Sequence, residues 1–174
     1  MSWEKPKFLT QALANSAASA VLSLVFQGEY SAIKVDGSDG HLVILAPEMD
    51  VGDEPDVDKI YPNLAIRPFT LLEVSVGDVA KWKYPFRDIA RCKALQLWHQ
   101  RNDGGSDILP HLLFPGDTAY WGGVFRKGLA VGFSGVDSWH DRMIAGMVAD
   151  ICIAGAYDAW MKSTDRKSGL NFIL

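Results

Sequence analysis

The sequence is poor in cysteine, and its two cysteines, Cys92 and Cys152, fall inside apolar helical patterns. Thiols placed this way do not form the disulfide framework that staples small secreted domains. They read as buried thiols in a reducing compartment, so a cytoplasmic location is expected. Histidine is also scarce. His41, His99, His111 and His140 form no pair with His-x-x-x-His or Glu-x-x-His spacing, so no dedicated metal site is expected. Basic residues are not in excess: 17 Lys and Arg stand against 21 Asp and Glu, for a net charge of −4. Non-specific nucleic-acid binding needs a basic footprint, so no nucleic-acid partner is expected. Long apolar runs are few. Residues 13–26, preceded by Lys5 and Lys7, imitate a signal peptide, but Glu4 and Pro6 break the basic segment, and Asn15, Ser16, Ser19 and Ser23 break the apolar one. No other run approaches the roughly 18 residues of a membrane span, so no membrane partner is expected.

What remains is an ordinary globular composition, 48% hydrophobic and 22% charged over 174 residues. A single domain of this size buries roughly two thirds of its unfolded surface without staples. After a loose arm anchored by Trp3 and Phe8, Thr10 caps a helix running to about Gln27. Its apolar stripe is Leu13, Ala17, Ala20, Val21, Leu24 and Val25. A hairpin follows, from Tyr30, Ala32, Ile33 and Val35 through turn residues 36–40 to a return strand that Pro47 ends. Residues 48–68 read as an inserted acidic loop, with Glu48, Asp50, Asp53, Glu54, Asp56 and Asp58 crowded together. Their spacing is not that of an EF-hand, so a solvated loop is favoured over a cation site; in the enzymatic alternative, residues 48–58 act as a lid. A strand over 69–76 precedes a second helix after Pro85, with Phe86, Ile89, Ala90, Lys93, Ala94 and Leu97 on one face and Arg87, Arg91, Gln96 and Gln100 around it. Residues 111–114 are a candidate strand. A second hairpin, 119–125 and 129–133, turns at Arg126-Lys127-Gly128, and a third helix begins at Ser138. Hairpins separated by helices predict an α+β fold with an antiparallel sheet, not a doubly wound parallel one.

Four short stretches resemble one family. The Val35-Asp36 to Gly40-His41 hairpin, Ile89-Ala90-Arg91-Cys92-Lys93-Ala94, Phe114-Pro115-Gly116, and Gly132-Phe133-Ser134-Gly135 followed by His140-Asp141 resemble, in this order, pieces of the GlcG/HbpS-like family. The resemblance spans about residues 10–160. It implies a profilin-like fold: an antiparallel sheet of about five strands with helices on both faces, assembled as a homo-oligomer. Some members bind or degrade heme, and a related domain accompanies corrinoid adenosyltransferases of the PduO type. The chain departs from the family at Asp117, where a second glycine is usual, and in a lengthened loop at 48–83. Its first helix has no histidine, so the axial heme ligand of one branch has no counterpart. Heme remains a possible cofactor without an assigned ligand.

The residues themselves suggest a site. Ser134, His140 and Asp141 invite a catalytic triad, but Gly132-Phe133-Ser134-Gly135-Val136 is not a Gly-x-Ser-x-Gly elbow. His140 and Asp141 also point about 100° apart on a helix. Ser138 and Asp141 read better as an N-cap and its capping-box acid. The unsatisfied N–H groups of that helix start, beside Ser134 and Gly135, are candidates to hold an anion. Lys93 sits on an otherwise apolar face, where it must reach an edge, pair with an acid or meet a ligand. Arg87 adds charge nearby. Tyr120 and Trp121, beside Asp117 in a glycine-flanked loop, can stack on a flat ligand. His111 and His140 are the candidate single heme ligands. The small-sided third helix, with Ala145, Gly146, Ala149, Ala154, Gly155 and Ala156, predicts close packing and oligomer formation. The expectation is therefore a small-ligand-binding oligomer taking an anionic or planar molecule at Arg87, Lys93, Asp117, Tyr120, Trp121, Ser134, Gly135 and His140. The alternatives are an accessory enzyme of aromatic or small-acid breakdown and a structural module.

Overall fold

A computed structural model describes residues 3–28, 35, 37–50, 66–102 and 108–169. The elements are β1 (Trp3–Glu4), α1 (Gln11–Phe26), β2 (Gly40–Asp50), β3 (Ile66–Val76), α2 (Phe86–Trp98), β4 (Gly123–Arg126), β5 (Leu129–Ser134), α3 (Ser138–Lys162) and α4 (Thr164–Lys167). The fold is α+β. Its sheet has five strands, all paired antiparallel, in the order β1-β2-β5-β4 with β3 on the other edge of β2.

The central strand explains the layering. Side chains alternate across a strand, and β2 is buried on both faces, so it reads as a continuous apolar run. Leu42, Ile44 and Ala46 join Val131 and Phe133 of β5 in a core closed by α1 and α3. Val43 and Leu45 join Ala130 in a smaller core closed by Ala90, Ala94 and Leu97 of α2. Helices therefore cover both faces. Each fully buried Leu, Ile or Phe contributes about 1.5–3 kcal/mol.

Glycine decides how closely α2 sits. A Cβ on Gly132 would lie 2.5 Å from the Ala90 carbonyl oxygen and 3.0 Å from the Ala94 nitrogen, so helix backbone rests directly on strand backbone. The second hairpin turns tightly at Lys127 (φ 49°) and Gly128 (φ 85°), the two positive φ values of a type I′ turn.

Several expectations need correction. Pro47 does not end its strand: β2 continues to Asp50, and Pro47 lies opposite Pro68. Two residues without an N–H can face each other where the strands exchange no hydrogen bond, so the ladder loses nothing. The acidic insert is narrower than 48–68, because both of its ends are strand. Glu48 is buried and bonded by Arg67 at 2.6 Å; Asp53, Glu54, Asp56 and Asp58 lie outside the described residues, as does most of the first strand of the expected hairpin. The N-terminal arm is pinned, with Trp3 and Glu4 paired to Asp50 and Met49 and the Arg67 guanidinium 3.7 Å from the Trp3 ring centre. Thr10 does cap α1, but the buried stripe is rotated: Ala14, Ala18 and Leu22 are inside, while Ala20 and Leu24 are exposed. Residues 110–112 form a 3-10 turn rather than a strand, because Pro110 suits a helical first position and cannot join a ladder. Contrary to the expectation from apolar runs, α3 is by length and mean hydropathy (1.3) long and apolar enough to cross a membrane, and one face of it packs on the sheet. Of the cysteines, Cys152 is buried and Cys92 half-buried.

The seat of α2 gives a direct test. Gly132→Ala is expected to cost about 1–3 kcal/mol by overpacking, read as a lower midpoint in urea unfolding with unchanged slope. An unchanged midpoint would show that α2 does not rest on β5.

Candidate functional site

Two adjacent stripes of α2 have different tasks. Ala90, Ala94 and Leu97 meet the sheet, whereas Phe86, Ile89 and Lys93, spaced three and four apart, face a cavity. The cavity holds about 270 Å³ and is completed by Tyr84, Tyr120, Ser134, Gly135, Val136, Ser138 and Asp141. Its wall is braced by a run of rings: Tyr84 to Phe86 at 6.0 Å, Phe86 to Trp82 at 5.5 Å, and Trp82 to His41 at 6.1 Å between centres. Trp82 is fixed by donating to the Val76 carbonyl at 3.2 Å.

Charge at the cavity comes from one pair. Lys93 and Asp141 are 4% and 2% exposed. Lys93 Nζ donates to Asp141 Oδ2 at 2.6 Å and to the Phe133 carbonyl at 3.0 Å. Asp141 Oδ1 accepts from the Val136 N–H at 3.1 Å. The pair thus joins α2 to the start of α3 across the end of β5. Burial pushes the Asp141 carboxyl from its ordinary 3.8 up to about 6, against the opposing pull of Lys93 and of the Val136 and Gly135 N–H groups. Burial likewise lowers the Lys93 ammonium, and the carboxylate opposes it. Burial thus works against both charges, while each charge works to hold the other.

The expected residues divide. The cavity brings together Lys93, Tyr120, Ser134 and Gly135. Arg87 is exposed and does not line it. Asp117 is engaged elsewhere: it pairs with Arg101 through both oxygens, and one of them accepts from the Phe114 N–H at 2.8 Å. The guanidinium holds that carboxyl below its usual range. Asp117 therefore staples its loop. Gln96, expected at the helix margin, is buried and clamps the same loop by exchanging bonds with Thr118 at 3.2 and 3.3 Å. Trp121 meets Lys93 only at a separate cleft of about 10 Å³, room for a single water. His140 also lies outside the cavity lining, with Nδ1 3.9 Å from Asp137.

The helix start differs from the expected capping box. Asp137 occupies the N-cap without a side-chain bond, and Asp141 turns toward Lys93 instead of capping Ser138. Its carboxylate takes the Val136 N–H, in the turn before the N-cap, so the Ser134–Val136 turn is held by an anion of the chain's own. Among the possibilities for a lysine on an apolar face, pairing with an acid is the one realised. Phe86 and Ile89 read in sequence only as part of the apolar face of α2, and Tyr84 and Val136 carry no signal, because nothing in such spacing separates a cavity wall from a core. Among the described residues no cluster of three metal-ligating side chains occurs. Comparison with family models, curated proteins and solved structures finds no match to this chain.

A buried pair whose members are both shifted toward neutrality is a burden on the fold. Replacing such a pair by apolar residues is commonly neutral or stabilising by about 1–4 kcal/mol, while removing one partner costs about 3–5 kcal/mol. Lys93→Met alone is expected to destabilise, and adding Asp141→Leu to restore or exceed the original midpoint. The pH dependence has a definite sign. With its folded value raised, Asp141 holds more proton in the folded than in the unfolded chain between pH 3.8 and about 6. Its contribution to stability therefore falls as pH rises through that window. Chemical unfolding should show the native chain losing ground to the double variant from pH 4 to pH 6; a constant gap contradicts the assignment.

Proposed function

We propose that the chain is a small-ligand-binding protein of the GlcG/HbpS-like type, profilin-like in fold, whose cavity takes a planar molecule bearing one polar or anionic group. The supporting observation is the juxtaposition of aromatic walls, Tyr84, Phe86 and Tyr120, with a buried Lys93–Asp141 pair at a cavity of about 270 Å³. Rings give a flat ligand apolar contact, and a few convergent polar groups fix its orientation. A pair that burdens the fold is a functional candidate where it lines a cleft. An enzymatic role is the second reading, favoured by a carboxyl at about 6, near the pH at which an acid–base catalyst works.

Heme fits this cavity poorly. None of the four histidines lines it, and its oxygen donors on aromatic side chains are Tyr84 and Tyr120. Titration with hemin is expected to leave the Soret band unshifted. Benzoate and related flat acids are the preferred probes. A probe at about 100 times its Kd stabilises by about 2.7 kcal/mol, a rise of about 5 °C or more in Tm. Affinity for benzoate should strengthen as pH falls from 7 to 5, because protonating Asp141 frees the Lys93 charge. If no flat acid shifts Tm at either pH, the ligand reading fails.

Homo-oligomer formation belongs to the same proposal. Trp139 and Tyr157 of α3 are 60% and 61% exposed, and Ile151 and Met161 of the same helix are exposed as well. Apolar side chains on one long helix suit a second copy of the chain. Sedimentation should give a mass above one chain, and Tyr157→Asp together with Ile151→Asp should lower it. A monomer at micromolar concentration contradicts this part.

A further inference from the structure

An amine at the wall of a cavity, almost withdrawn from water and bonded to a carboxyl, is the arrangement that lets a lysine act as a nucleophile. A lysine in water is held as ammonium, which has no electron pair to offer. At Lys93 the proton has a place to go. Asp141 Oδ2 is 2.6 Å away, and Asp141 is itself at the cavity wall. The second hydrogen-bond partner of Nζ, the Phe133 carbonyl at 3.0 Å, only accepts a hydrogen. We propose that Lys93 condenses with a small aromatic aldehyde or ketone seated in the cavity to form an imine, with Asp141 carrying the protons. This rests on the cavity being a ligand site.

The step balances with these groups alone. The Lys93 ammonium passes one proton to the Asp141 carboxylate. The freed nitrogen pair forms a bond to the carbonyl carbon, and the carbonyl π pair moves to oxygen, which takes the proton from Asp141. Nitrogen then returns a second proton to Asp141. The new hydroxyl accepts that proton and leaves as water while the nitrogen pair closes the C=N bond. The product is a protonated imine plus one water, and Asp141 ends as it began. No oxidant or metal is required. Burial acts in the same direction, since it disfavours both the ammonium and the carboxylate and so eases the first proton transfer. Tyr120, exposed at the rim, and Phe86 flank an aromatic carbonyl compound in this position.

The test is reductive trapping on the intact chain with 4-carboxybenzaldehyde and sodium borohydride at pH 7, followed by peptide mapping. The adduct is expected on Lys93 ahead of exposed lysines such as Lys81, Lys127 and Lys162, and to be lost in Lys93→Arg. Tyr120→Ala, a change at an exposed residue, should slow trapping without unfolding the chain. Asp141→Asn should slow it by about 100-fold and flatten its pH profile between 5 and 7. Labelling confined to exposed lysines, with Lys93 unmodified, overturns the proposal even if Asp141→Asn fails to fold. If benzoate raises Tm but Lys93 is not labelled, imine formation is wrong and the cavity stands as a binding site. If benzoate has no effect and Lys93 is not labelled, the ligand site itself is wrong.

Discussion

The buried contact between Lys93 and Asp141 constrains the site more than any other interaction in it. The two residues are 48 positions apart in sequence and sit on helices that reach opposite faces of the sheet. Their contact therefore fixes where the start of α3 lies relative to α2, past the end of β5, whose Phe133 carbonyl shares the same ammonium. Ion pairs in such surroundings do not hold folds together cheaply, because desolvation can outweigh their attraction. What the pair secures is position: α3 enters where Val136 can donate to the carboxylate, and the cavity is left open beside it.

Around that pair, the chain spends ordinary structural chemistry on keeping the cavity rim in place. Arg101 and Asp117 hold the loop after Phe114, Gln96 clamps it to α2 through Thr118, and Cys92 Sγ donates weakly to the Gly116 carbonyl at 3.4 Å. Tyr120 is thereby presented at the rim. Rings from Tyr84 through His41 pack at tilted to edge-on angles, and the last of them leads to the Glu73–Arg91 ion pair. Polar residues that look functional in sequence thus do supporting work, and the cavity lining itself is largely apolar.

Much of the fold was legible locally. The 3.6-residue period of α2, the Thr10 cap, the turn at Lys127-Gly128 and the start of α3 at Ser138 each depend on neighbours a few positions away. The misreadings share a cause. Pro47 reads as a strand end unless its partner across the ladder is known to be Pro68, and the rotated stripe of α1 depends on where α3 and the sheet lie. Within the site, Lys93 was legible as an anomaly on an apolar face. Its resolution was not legible, because Asp141 had an adequate local explanation as a capping acid.

Sequence alone determined the α+β class, the second hairpin (β4–β5) and the helices on either side of it, since periodicity and turn chemistry are local properties of the chain; the expected first hairpin did not survive, because β2 pairs along 41–45 with β3 on one edge and β5 on the other. It also determined which residues were out of keeping with their surroundings. Only the tertiary structure decided which of these meet. It withdrew Asp117, Trp121, His140 and Arg87 from the cavity and brought Asp141, Tyr84 and Phe86 to it. The physical reason is that proximity across a sheet depends on strand register and on how closely helices pack. The absence of a side chain at Gly132 sets that closeness for α2, and no spacing within either helix records it.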